Sequence, residues 1–327
     1  MSQKIKLLHL SDFHYRNNWH EEIGKVTYGF FKDLEQQVDS EDPPYLVFSG
    51  DFVQAGEDES LFQSFIEEFD DKFNALNITK ERRIIVPGNH DINRKYISSK
   101  QIAFEGIIEQ CNSESSFNQY IETQDDGFLL ESLENFDNFQ QKFASIYAPI
   151  DSGTGSGRVL TNDVAIYCLN TAICSVGGIN EQQSGKPIDD EKRLMINTRS
   201  LNKWCHSNKE KYKILVMHHP ETHLREWARK ELENIIYQHF DLVLSGHTHE
   251  GSQTHDRKSL NEVIRSTAPP LFTRKNENLG YSFITLDTSN GEICFSYRQW
   301  SGSEFVLGTA LSHSDTGSVK YTLRSAT

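Results

Sequence analysis

Three things are scarce in this chain, and each scarcity removes a class of protein. No apolar run among the 327 residues approaches the roughly 20 residues that a membrane-crossing helix needs, so a span is excluded. Paired cysteines are missing as well. The five present (Cys111, Cys168, Cys174, Cys205 and Cys294) are scattered without a close-spaced pair, which suits reduced thiols in a cytoplasmic setting better than a disulfide scaffold. Basic charge is the third: 33 Lys and Arg stand against 47 Asp and Glu, a formal net charge of −14. Only small basic clusters occur, at Lys80-Glu81-Arg82-Arg83, at Lys192-Arg193 and around Arg225, Arg229 and Lys230. A long duplex footprint needs a dense row of cations to displace phosphate counterions, so extended nucleic acid is disfavoured, although bound cations reverse the sign locally at a site. The N-terminus runs into an apolar segment with no basic stretch and signal core before it, so secretion is not expected. There is no internal repeat and no low-complexity tract.

What the chain does have is a series of polar blocks. Asp12-Phe13-His14, Gly50-Asp51, Gly88-Asn89-His90-Asp91, His218-His219-Pro220 and Gly246-His247-Thr248-His249 follow one another in that order. Each ends an apolar run: Ile5 to Leu10, Tyr45 to Phe48, Arg83 to Val86, Lys213 to Met217 and Leu242 to Leu244. Short branched runs bounded by Gly, Pro or Asn read as buried strands. Five strands are therefore expected to bring their C-terminal ends to one edge of a sheet, where open α/β sheets carry their sites.

Glu21 to Val38 and Glu59 to Leu76 hold apolar residues at helical spacing, and further helices are predicted around Asn197–His206 and from about Glu221 to His239. The Gly- and Ser-rich stretch from Ser152 to Gly157 reads as a turn before a strand at Val164–Leu169. Lys95 to Ile150, acidic and Ser-rich with helical pieces but no strand signal, reads as an insertion over the site edge. Val263–Ser266, Tyr281–Leu286 and Ile293–Tyr297 alternate like strands and suggest a second sheet. The expected fold class is α/β, a four-layer α-β-β-α sandwich of two mixed sheets flanked by helices, with the site at strand C-terminal ends. One domain would cover residues 1–300, followed by a tail over 301–327 of unreadable role.

Each block has an ordinary alternative, since a lone Asp-x-His often caps a helix and Gly-Asp after a strand is a common turn. Their conjunction argues for chemistry. Carboxylate, imidazole and amide oxygen without a thiol suit hard and borderline divalent ions, and imidazoles two residues apart, as in His247 and His249, can reach two neighbouring ions. Two ions about 3.5–4 Å apart can share a hydroxide and neutralise phosphate oxygens during in-line displacement.

Taken in order, the blocks resemble the calcineurin-like metallophosphoesterase superfamily, whose series is Asp-x-His, Gly-Asp, Gly-Asn-His-Asp or Glu, His, and Gly-His-x-His. The resemblance covers residues 5 to 250. It implies a hydrolase holding two divalent ions, with Asp12, His14 and His249 on one, Asn89, His218 and His247 on the other, and Asp51 bridging. It also implies His90 beside the scissile phosphate, Asp91 holding the His90 ring and fixing its tautomer, and His218 rather than His219 as the ligand. Mn2+ is the expected ion, with Fe, Zn or Ni also compatible with mixed nitrogen and oxygen ligation.

Departures from sub-family patterns narrow the substrate. The Asp-Arg pair that follows Gly-Asp in the protein Ser/Thr phosphatases is absent from Gly50-Asp51-Phe52-Val53-Gln54-Ala55-Gly56, and Gln54 stands where purple acid phosphatases carry a metal-bound Tyr. His9-Leu10-Ser11-Asp12-Phe13-His14 is similar to the class III cyclic-nucleotide phosphodiesterases, and the DNA-repair-nuclease branch remains beside it. The expected function is hydrolysis of a phosphodiester of a nucleotide or cyclic nucleotide by a metal-bridging hydroxide. A metal-dependent nuclease, as an effector part of a larger protein, is the alternative. A non-catalytic scaffold is the third reading, against which the full ligand series with His90 and Asp91 argues. Candidate substrate contacts are Tyr15, Arg16, His20, Arg94, Asn170 and His223. Asn170 stands out because it ends a strand at the site edge, whereas the arginines are otherwise solvated charges and the histidines helix-end residues.

Overall fold

The computed structural model describes residues 4–17, 20–123, 127–145, 154–176, 190–258, 261–273 and 278–323. Its strands are β1 (Lys4–Leu10), β2 (Tyr45–Phe48), β3 (Arg83–Ile85), β4 (Gly155–Thr161), β5 (Val164–Leu169), β6 (Tyr212–Val216), β7 (Leu242–Ser245), β8 (Ser252–Lys258), β9 (Asn261–Thr267), β10 (Gly280–Asp287), β11 (Glu292–Trp300), β12 (Phe305–Leu307) and β13 (Ser318–Thr322). The helices are α1 (His20–Gln37), α2 (Glu59–Ala75), α3 (Arg94–Ser99), α4 (Gln101–Gln110), α5 (Glu114–Thr123), α6 (Gly127–Leu130), α7 (Glu134–Phe143), α8 (Thr198–Ser207), α9 (Glu226–His239) and α10 (Thr309–Ser312).

Alternation along the strands builds the layers, because neighbouring side chains leave opposite faces of a sheet. Val47 of β2, Ile84 of β3, Ile214 and Val216 of β6, and Leu242 and Leu244 of β7 share one core between the sheets. Leu46, Phe48 and Ile85 face outward onto helices α1, α2 and α7, while Leu215 and Val243 face α8 and α9 on the far side. The result is the four-layer α-β-β-α sandwich. The first sheet has the order β12-β11-β10-β1-β2-β3, with β13 also on β11, and the second β4-β5-β6-β7-β9-β8. Both are mixed: β1, β2 and β3 are parallel while β10 runs antiparallel to β1, and β5, β6, β7 and β9 are parallel between the antiparallel edges β4 and β8.

The outer face of the first sheet is an aromatic layer. Asp58 caps α2 by accepting from Ser60 N at 3.1 Å, and the i, i+4 spacing of Phe65 and Phe69 stacks their rings 4.2 Å apart. Phe139 of α7 lies 4.9 Å from Phe52 and 5.0 Å from Phe62, so α7 belongs to this layer. Truncating Phe65 to Ala would cost about 3–5 kcal/mol. Helices α3 to α6 reach from the loop after β3 toward the second sheet's helices: Asn93 N donates to Ser132 O, Arg193 pairs with Glu105 at 2.9 Å, and Arg225 donates to Cys111 O.

Several expectations need correction. The five block-bearing strands do not share one sheet edge; β1, β2 and β3 lie in the first sheet and β6 and β7 in the second. Nor do the later strands form a sheet of their own, since β9 pairs with β7 while β10 and β11 extend the sheet of β1. Gly155 to Gly157 begin β4, paired with β5, rather than a turn, and residues 152 and 153 lie outside the described residues. The helix expected from Glu221 starts at Glu226, because Leu224 and Arg225 are extended and leave Glu221–His223 as a separate 3-10 turn. The stretch expected as a tail adds β12 and β13 to β11. Among the described residues no helix is long and apolar enough to cross a membrane.

Candidate metal centre

The loops that leave β1, β2, β3, β6 and β7 converge, and they do so through strained backbone. Asp12 (φ 53°), His14 (49°), Asp51 (60°), His247 (74°) and His249 (57°) all occupy the left-handed region, which costs a non-glycine residue about 1–3 kcal/mol. Cross-loop hydrogen bonds hold them there. Asp12 N donates to Gly50 O, Phe13 N and His14 N to Asp51 O, and His247 N to Asp12 Oδ2. Two glycines make the approach feasible: a Cβ on Gly50 (φ 96°) would meet His218 Nδ1 at 2.5 Å, and one on Gly88 would meet Asp51 Oδ1 at 2.1 Å.

Two groups of donor atoms result. In the first, His14 Nε2 lies 3.2 Å from His249 Nε2 and 3.7 Å from Asp12 Oδ1, which is itself 3.2 Å from His249 Nε2. In the second, Asn89 Oδ1 is 3.1 Å from both His218 Nε2 and His247 Nδ1, and those nitrogens are 3.3 Å apart. Asp51 Oδ2 belongs to both, 3.9 Å from His14 Nε2 and 3.4 Å from His218 Nε2. Ligands bonded to one ion at ~2.0–2.2 Å stand roughly 3.0–3.6 Å from each other, and lone pairs turned toward one another at such distances repel unless a cation or a shared proton lies between them. The residues present therefore fit two divalent ions. Both rings of the His218–His219 pair have Nδ1 engaged, by Ser49 O at 2.7 Å and Thr171 Oγ1 at 2.9 Å. What sets His218 apart is that its Nε2 stands 3.1 Å from Asn89 Oδ1 and 3.4 Å from Asp51 Oδ2. His219 still lies in a cluster with His218 and His247.

Burial and charge set the protonation states. Burial pushes the Asp12 carboxyl up, but the His249 hydrogen bond and the His218 charge outweigh it and hold it at about 2. Asp51 is likewise held well below the carboxylate range, against burial, chiefly by His218 and His90. Burial lowers His14 and His247 to about 3, leaving them neutral donors. His218 goes the other way, since burial lowers it but the Asp51 charge and hydrogen bond raise it to about 9. Burial and the charge of Asp51 push the Asp91 carboxyl up, opposed by the backbone N–H groups of Gly88 and Val53, which favour its charged form.

Asp91 does not hold the His90 ring. Its Oδ2 accepts from Asp51 N and Gly88 N, both at 2.8 Å, and its Oδ1 from Phe52 N and Val53 N, so this carboxylate braces the loop that bends through Asp51. The ring is held by Gln54, whose side-chain Nε2 is 2.7 Å and whose carbonyl oxygen is 3.1 Å from His90 Nδ1. Sequence reasoning missed this role for Gln54, although its spacing three residues after Asp51 marks the position as one that faces the site. His90 N donates to Asp51 Oδ1 at 2.8 Å, and its ring centroid is 4.6 Å from that of His14.

The candidate substrate contacts scatter. Arg16 donates to Gln54 Oε1. Arg94, at the start of α3, is half-buried; its Nε and Nη2 are buried without a hydrogen-bond partner, and its charge helps lower His90. His223 is drawn to the cluster, with Nε2 3.1 Å from His247 Nε2. Asn170 is buried and spends its amide oxygen on Ala172 N at 2.9 Å, lining a cavity of about 100 Å3 beside Val86 and Pro87. Tyr15 is not at the site, because its ring packs on Phe13 and Phe65. His20 begins α1, and its side chain lies outside the described residues.

The calcineurin-like phosphoesterase family matches residues 5–251, and the chain belongs to that family. A relative, the uncharacterized metallophosphoesterase-like protein YydB of Bacillus subtilis, is 22% identical over 308 residues, 91% of this chain and 60% of YydB. The chain thus spans about three fifths of the length of that relative. Among solved structures, a conserved uncharacterized protein of Streptococcus pneumoniae, described as a predicted phosphoesterase, is 10% identical with a TM-score of 0.37 over 98% of this chain and 99% of that one. A single mutant of Vps29 from Entamoeba histolytica is 9% identical with a TM-score of 0.39 over 98% and 100% of the two chains.

Proposed function

We propose that this protein is a dinuclear metal-dependent phosphodiesterase acting on a small nucleotide or cyclic nucleotide. The observation that carries the reading is the position of Asp51 Oδ2 within both donor groups, with His90 beside them. Asp12, His14 and His249 would hold one divalent ion, Asn89, His218 and His247 the other, and Asp51 both. When bound, such a pair lowers the pKa of a water and neutralises phosphate oxygens. Asn89 contributes a carbonyl without charge, which keeps the centre cationic enough to attract phosphate. Asp91 acts at one remove, by fixing the backbone that presents Asp51. His90 stabilises the charge that develops on the reacting phosphoryl group, and Arg94 stands beside it to contact the substituent on the ester.

The thiol-free donor set supports Mn2+ as the working ion. Free cysteines support a cytoplasmic setting, and the −14 charge supports a small substrate over extended nucleic acid. The test is a screen of the manganese-loaded chain against bis(p-nitrophenyl) phosphate, cyclic and linear nucleotides, and labelled DNA and RNA. Hydrolysis of the synthetic diester and of a nucleotide diester is expected, with His90→Ala lowering kcat by ~10²–10⁴. Turnover of monoesters alone would overturn the diesterase reading, and cutting of DNA or RNA without cleavage of small diesters would make the protein a nuclease.

A further inference from the structure

The His90 ring is gripped at one nitrogen by one residue, and its two contacts there demand opposite tautomers. A hydrogen bond from the Gln54 amide, at 2.7 Å, needs Nδ1 as acceptor and puts the ring hydrogen on Nε2. A hydrogen bond to the Gln54 carbonyl, at 3.1 Å, needs Nδ1–H and leaves Nε2 bare. Arg16 decides between them. Its Nη2 donates to Gln54 Oε1, and a guanidinium has no acceptor, so turning the amide over would set two donors face to face. The Arg16 charge also polarises the amide and strengthens the N–H on its far side, which makes the shorter contact the stronger one.

The backbone delivers this arrangement. Tyr15 N donates to Phe52 O and Gln54 N to Tyr15 O, so the loop after β1 is zipped to the loop after β2 and Arg16 comes to lie against Gln54. Asp91, which the family resemblance implies on the ring, is fully engaged with backbone N–H groups instead. With Nδ1 occupied by Gln54, Nε2 is the nitrogen left for a reacting group, and His90 lies in one cluster with His14 and Asp51.

We propose that Arg16 and Gln54 are a positioning pair that holds His90 in the tautomer with hydrogen on Nε2, so that His90 meets the phosphoryl group as a neutral hydrogen-bond donor and not as a base. The group it meets rests on the diesterase reading above; the tautomer does not.

The experiment is nitrogen-15 NMR of the full chain labelled at histidine and loaded with diamagnetic Zn2+, with the His90 signals assigned by their loss in His90→Gln. An unprotonated Nδ1 and a protonated Nε2 are expected, and Nδ1–H in the wild type would overturn the inference. Gln54→Met, which removes the amide and leaves the backbone carbonyl as the partner of Nδ1, should move the hydrogen to Nδ1. In the same variant kcat should fall by up to ~10²–10³, the usual cost of one lost donor to a developing anion, with KM little changed. Arg16→Met should erode the tautomer preference and Arg16→Lys should restore it. A fall in kcat with the His90 hydrogen still on Nε2 would assign Gln54 a merely structural role. If the wild type hydrolysed no diester, the diesterase reading would fall while the NMR result still decided the tautomer.

Discussion

His247 Nε2 lies 3.1 Å from His223 Nε2, so the imidazole whose Nδ1 faces Asn89 and His218 is held from behind by another imidazole. One hydrogen must sit between those two nitrogens. If Nδ1 of His247 binds an ion, that hydrogen belongs on its Nε2 and His223 accepts it. Partners of this kind set ligand orientation, and losing them typically weakens metal binding ~10–100-fold. His223→Ala should show that loss in competition with a chromogenic chelator, and His223→Asn, which keeps an acceptor, should recover part of it. An unchanged affinity in His223→Ala would show that the ring is oriented by something else.

Metal uptake should release a proton from His218. Its folded value of about 9 means that the ring is charged at neutral pH, and Nε2 cannot bind an ion until that hydrogen leaves. Calorimetric titration with Zn2+ in buffers of different ionisation enthalpy should therefore detect release of about one proton or more near pH ~7, and less above the His218 value. No release near neutrality would mean that His218 is already neutral in the metal-free protein.

The metal-free protein should lose stability on acidification. Burial lowers His9, His14 and His247 from 6.5 to about 3, so between those values the unfolded chain binds protons that the folded chain refuses. Their contribution is present above 6.5 and is lost as pH falls toward 3, each tenfold difference in proton affinity between the folded and unfolded ring being worth about 1.4 kcal/mol. Acidic groups titrating near pH 4 add their own slope, so the informative comparison is His9→Gln, which keeps a hydrogen bond to Ser49 Oγ but cannot charge. Its melting temperature should fall less steeply between pH 6.5 and 4 than that of the wild type.

Arg83, read from sequence as part of a basic cluster, is 1% exposed. It donates to Asp70, to Asn74 and to the carbonyls of Ile78 and Phe143, with its guanidinium over the Phe143 ring, and so ties α2 and α7 to β3. Arg83→Leu would strand those acceptors, and a loss of about 3–5 kcal/mol in chemical denaturation is expected. A change below about 1 kcal/mol would mean that the cluster relaxes around the gap.

Much of the site was legible because polar donors at the ends of apolar runs leave a strong one-dimensional trace. Strands β2 and β5 begin and end where their apolar runs predict, and Asp12, His14, Asp51, Asn89, His218, His247 and His249 meet in space. Less was legible where pairing between distant strands decides the outcome. Nothing in Val263–Ser266 distinguishes a partner of β7 from a partner of β10, since a half-buried strand looks the same beside either neighbour. The bonds of Asp91 were unreadable for a related reason: a carboxylate one residue from His90 reaches the ring or the backbone according to a loop conformation that local sequence does not encode.

The order of donors, the strands that carry them and the chemical class of ion they suit follow from sequence alone, because hydrophobic period and ligand type are local properties of the chain. Tertiary structure alone decided how the strands divide between two sheets, the positive φ at Asp12, His14, Asp51, His247 and His249, and the grip of Gln54 and Arg16 on His90. Those features depend on hydrogen bonds between loops remote in sequence, and such bonds exist only once the sheets have packed.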